Sequence, residues 1–138
     1  MNGGRVLAAA VRRRAQLAGD RGALALELAI IAPVVFLLIF GIIQGGLYFH
    51  AREVAHRAAE QGMERGRAFD AHPGDGTAAA RSFLARMGGS VEAAQVSDDG
   101  STNQQVQISV TGTVATLVPG IDLTVVARSQ GPVERLNP

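Results

Sequence analysis

The pattern of apolar and polar positions divides the chain into a membrane-length run, an amphipathic helix and a strand-rich remainder. From Leu28 to Phe49 come 22 residues without a charge, LAIIAPVVFLLIFGIIQGGLYF. As a helix this run spans about 33 Å, enough for the hydrocarbon core of a bilayer. It predicts a transmembrane helix, with Tyr48 and Phe49 at the outer end, where aromatic rings favour the headgroup region. The alternative, a buried core helix, suits so small a chain poorly. Residues 51–69 then place small or apolar side chains at 51, 54, 55, 58, 62 and 66. At about 100° per residue these share one helix face, so an amphipathic helix continues the span. Its other face is charged, with Glu53 and Arg57 spaced for an ion pair, and Arg65 intrudes on the edge of the stripe. A stripe of Ala and Gly permits close approach, either to the domain's own sheet or to a helix of another subunit.

Beyond this the period changes. The segment DAHPGDG, residues 70–76, breaks the helix with Pro and Gly. Thr77 is placed to cap a second short helix over 78–87, which Gly88-Gly89 ends. Residues 91–97 read as a weak strand, followed by the turn-rich DDGSTN. QQVQISV, residues 104–110, alternates through Val106, Ile108 and Val110, and LVPG breaks it at 117–120. IDLTVVAR, residues 121–128, alternates through Ile121, Leu123, Val125 and Ala127. The expected fold is α+β: a long N-terminal transmembrane helix, a second short helix, and a small three-stranded, largely antiparallel sheet with one apolar face.

Composition sharpens this in two places. The 138 residues suffice for one small domain, 47% of them are apolar, and none is Cys, which excludes disulfides, thiolate chemistry and Cys-based zinc sites. The net charge of +1 hides an asymmetry, for residues 1–22 carry five Arg against one Asp, and residues 23–138 carry eight Arg against eleven acids. Basic residues flanking a first span stay in the cytoplasm, which directs the remainder outside. The expected organisation is a basic cytoplasmic leader over 1–22, a transmembrane helix over 23–49 and an extracytoplasmic α+β head over 50–138. The span exceeds a usual signal-peptide core and no A-x-A site follows it near Gly46–Ala51, so the helix is expected to be retained.

Glu27 is the misfit. It stands at the inner edge of the span, in ALALELAII, where an ionised carboxylate costs several kcal/mol unless it is paired or reaches water. A cut between Gly22 and Ala23 would create a free α-amine four residues before it, on the same helix face and close enough to pair. The same pairing between neighbouring subunits would turn the cost of the carboxylate into an assembly rule.

At these residues the chain resembles a class III prepilin signal: a basic leader, Gly at the cut, Glu five residues beyond it, then an apolar span. More narrowly it resembles the TadE-like pseudopilins of tight-adherence (Flp-type) pilus systems. Pro33 follows Glu27 by six residues, Phe40–Gln44 matches an F-G-I-I-[E/Q] stretch, and Ala58 to Gly66 matches an A-A-x-x-G-x-x-x-[AG] helix. The near-terminal ARSQGPVER, residues 127–135, adds to the likeness. The resemblance implies processing by a membrane prepilin peptidase after Gly22, leaving 116 of the 138 residues. It implies as partners other pilins and pseudopilins, an inner-membrane pilus assembly platform and the lipid bilayer. It also implies a single-pass protein of the cytoplasmic membrane, with its head outside or carried into the pilus.

Gly41-x-x-x-Gly45 and Gly62-x-x-x-Gly66 are small-xxx-small patterns used for close helix packing, and Pro33 can bend a helix within lipid. Gly45-Gly46 can instead act as a flexible joint. Catalytic patterns are missing. His50 and His56 fall on different faces, His72 sits in a Pro-Gly loop, and no nucleophile motif or phosphate loop occurs. His56 with Glu53 and Glu60 reads as a solvated face, and Asp98-Asp99-Gly100 as a hairpin turn. The Arg12–Arg14 cluster is accounted for by topology, without nucleic acid. The expectation is a non-catalytic pilus subunit without catalytic residues, cofactor or metal. Its competitor is an uncleaved signal-anchored protein whose head binds a ligand or partner.

Overall fold

The computed structural model describes residues 3–118 and 120–134, with side chains from Gly22 onward. The side chains of the basic leader, and Arg135 at the end of ARSQGPVER, lie outside the described residues. The elements are α1 (Gly3–Arg67), α2 (Asp75–Arg86), β1 (Glu92–Ser97), β2 (Gln105–Val114) and β3 (Leu123–Pro132). Two compact units divide the chain, residues 1–41 and 42–138.

In the first unit the described part of α1 buries almost nothing. Leu24, Leu28, Phe36, Leu37 and Leu38 are all more than half exposed. Phe36 and Phe40 stack one turn apart with centroids 6.5 Å from each other. A helix satisfies its own backbone hydrogen bonds, so apolar side chains all round it suit lipid. Pro33 is tolerated inside α1.

The second unit is an α+β head. Its sheet has the order β1-β2-β3, antiparallel at both junctions. The β2–β3 ladder keeps one register from Gln105↔Pro132 to Val114↔Leu123. The β1–β2 ladder slips between Glu92 and Gln95, where Ala93 takes a positive φ of 48°. Against the sheet lies the C-terminal part of α1, from Ala51 onward. Ala51, Val54, Ala55, Ala58 and Ala59 are buried with Ile108, Val110, Val114, Val125 and Ala127, and Ala80 joins them from α2. Short side chains on α1 let the helix lie close to the branched residues of the sheet, which is what the Ala stripe accomplishes.

Several boundaries differ from the sequence reading, each for a local reason. Helix α2 begins at Asp75, not 78, because Gly74 (φ 90°) turns the chain in the left-handed region before it. Thr77 is therefore inside the helix, and its hydroxyl donates to the Gly74 carbonyl at 2.9 Å. Strand β2 ends at Val114, just before the break expected at 117–120, with Thr111–Val114 paired to Leu123–Val126. Strand β3 starts at Leu123, leaving Ile121 outside and 49% exposed. Gly45-Gly46 are helical within α1.

Polar ties fix the remaining turns. Arg65, the intruder on the stripe, reaches Asp70 at 3.1 Å and Asp75 at 3.3 Å, and so spans the α1–α2 connection. The Asp75 carboxylate also accepts the His72 backbone N–H at 3.0 Å. At the other end of the chain, the Glu134 N–H donates to the Arg67 carbonyl at 2.9 Å, satisfying a carbonyl that the end of α1 leaves free.

Candidate functional site

The residues singled out from the sequence fall along α1 in two groups. Gly22, Ala23 and Glu27 are all exposed near the N-terminal end of the apolar run. Glu27 makes no ion pair or hydrogen bond with any described residue. It stands one helical turn beyond Ala23, the spacing at which an amine at residue 23 meets a carboxylate at residue 27.

The four glycines of the small-xxx-small patterns differ in what surrounds them. A Cβ added at Gly41 or Gly45 would have nothing within 4 Å. A Cβ at Gly62 would lie 2.8 Å from the Gly76 carbonyl oxygen, 3.0 Å from Ala80 Cβ and 3.1 Å from Ile108 Cγ2. The relation is reciprocal, since a Cβ at Gly76 would lie 2.7 Å from the Gly62 carbonyl oxygen. At Gly66 it would meet Val106 Cγ1 at 2.9 Å. Gly62 and Gly66 are thus occupied inside the head, where α2 crosses α1 backbone to backbone. Gly41 and Gly45 present bare helix.

One residue that sequence reasoning passed over as a family match alone is Gln44. Its Oε1 accepts the Leu117 backbone N–H at 2.9 Å, and its Nε2 donates to the Ala115 carbonyl at 3.4 Å. A single side-chain amide thus holds both sides of the backbone as it leaves β2. The signal was present: Gln44 is the only amide in the uncharged run. Its partners lie 71 and 73 residues away, beyond the reach of any periodicity.

The histidines do not converge. His56 Nε2 lies 3.3 Å from Glu60 on an exposed helix face, and His72 Nδ1 lies 3.9 Å from Asp75. Among the described residues no group of three His, Asp or Glu is placed to hold a metal ion. A depression of about 390 Å³ beside Phe49 is lined by Arg52, Glu53, His56 and Arg128, all solvated groups.

What the fold and these residues define is an α+β head carried on a helix long and apolar enough to cross a membrane. The model of the family described as TadE-like protein matches residues 22–64, so this stretch of the chain is similar to that family. The matched stretch begins at Gly22 and takes in Glu27, Pro33, Gln44 and the Ala stripe, and it ends before α2 and the sheet. Neither a curated protein nor a solved structure matches the chain.

Proposed function

We propose that the chain is a non-catalytic, membrane-anchored pseudopilin that acts in assembly or initiation of a tight-adherence type pilus. The observation that carries this is the carboxylate of Glu27, without a partner among the described residues, five residues beyond Gly22, at the head of a bare apolar helix in a segment similar to the TadE-like family. A prepilin peptidase cuts between Gly22 and Ala23, where glycine leaves the scissile bond unobstructed. The new amine at Ala23 pairs with a Glu27 carboxylate, in its own helix or in a neighbour. In lipid that carboxylate is costly until paired, so the pairing selects the register in which helices of neighbouring subunits lie side by side. Gly41 and Gly45 then allow those helices to approach closely. The basic leader keeps the N-terminus inside the cytoplasmic membrane and places the head outside. The platform and the other pilins act on the helix, while the head decorates or caps the assembly.

The test is genetic. In a host with the pilus machinery, deletion of this chain is expected to abolish piliation, and its return in trans to restore it. Unchanged piliation in the deletion strain would overturn the proposal.

A further inference from the structure

We infer that the β2–β3 tip, through Leu117, Val118 and Ile121, is a second membrane contact of the head, seated in the outer leaflet beside α1. The inference rests on the reading of α1 as a transmembrane helix and adds a lipid-facing surface to the head. Counting from Leu28, about 20 helical residues cross the hydrocarbon core, which puts the outer boundary near Leu47. Gln44 is then about one helical turn inside that boundary. The hydrogen bonds from Gln44 to Ala115 and Leu117 hold the tip at the same depth. Backbone cannot enter lipid with its polar groups unpaired, and Gln44 satisfies two of those groups.

The composition of the tip agrees with this. Leu117, Val118 and Ile121 are 48%, 44% and 49% exposed, on a connection whose one charge is Asp122, its last residue, beside the start of β3. The β1–β2 connection, at the opposite end of β2, is SDDGSTN, with Asp98 and Asp99 exposed. One end of the sheet is thus built for lipid and the other for water. Three exposed aliphatic side chains at the water-filled end would have no such use.

The chain has no Cys, so one introduced Cys carries a fluorophore at a unique position. The full chain is reconstituted in vesicles of phosphatidylethanolamine and phosphatidylglycerol, with nitroxide lipids as membrane quenchers and iodide as the aqueous one. The Val118→Cys and Ile121→Cys probes are expected to be quenched by a nitroxide high on the acyl chain as strongly as Phe49→Cys, and to be shielded from iodide. Asp99→Cys shows the reverse. If the tip probes behave as Asp99→Cys does, the proposal falls. Shielding from both quenchers also overturns it, because protein and not lipid would then cover the tip. Ile39→Cys reports the span itself: without quenching by a deep nitroxide there, both the span and the tip contact are wrong. Quenching at Ile39→Cys with none at the tip overturns the tip contact alone.

Discussion

Replacing Gly62 by Val is expected to destabilise the head by about 3 kcal/mol, a large part of the total for so small a domain. A Cβ there meets the Gly76 carbonyl oxygen at 2.8 Å and Ala80 Cβ at 3.0 Å, and neither can rotate away. Helix α2 would have to shift off α1, opening the core around Ile108 and Ala80. Thermal unfolding of the full chain in detergent, followed by near-ultraviolet signals of Tyr48, measures this as a melting temperature lower by roughly 10–20 °C. Gly45→Ala is the contrast. Nothing lies within 4 Å of the added methyl, and Ala is the better helix former, so the head keeps or slightly gains stability. Equal melting temperatures for Gly62→Val and the parent chain would mean that α2 does not cross α1 at this point.

The second large effect is expected at Glu27. Glu27→Ala removes a charge from an apolar helix, so insertion into the membrane is retained or improved. If pairing with the Ala23 amine sets subunit register, assembly is lost all the same. A pairing worth about 1.4 kcal/mol already accounts for tenfold in an association equilibrium. Piliated cells and recovery of partner pilins on affinity-tagged chain should both fall by about that factor or more. Glu27→Asp, which keeps the charge on a shorter arm, is expected to retain part of the function, and Glu27→Gln little. A Glu27→Ala strain that assembles pili normally would favour an anchored binding protein, in which the carboxylate merely reaches water.

The contrast between these two residues shows what the sequence discloses. Glu27 is legible because it breaks a local rule, a charge at the edge of an uncharged run. The stripe of Ala51, Val54, Ala55 and Ala58 is legible because it follows the helical period, although the burial of Ala59 widens it. Gly62 looked the same as Gly41, since both belong to small-xxx-small patterns. Only the crossing of α2 separates them, and α2 itself began three residues before its expected start because a left-handed Gly74 set the turn. Gln44 was hidden for the same reason, as its partners come from the far end of β2. Thr111–Val114 pair with β3 throughout, so β2 ends shortly before LVPG, the break that Pro and Gly mark in the sequence. What the sequence conceals is which particular residues meet across a long separation.

Glu27 also explains why the head reveals so little function. The site proposed for assembly lies on a helix whose partners are other molecules. Among the described residues it is a bare carboxylate, a bare apolar surface and two glycines with open space.

The central claim is that this chain is matured by a prepilin peptidase at Gly22–Ala23 and assembles through the amine so made. Intact mass of the membrane-extracted protein, from hosts with and without the active peptidase, tests it most directly. With the peptidase the chain is expected to begin at Ala23, and without it to keep the leader. A chain that still carries its leader when the peptidase is active would contradict the account.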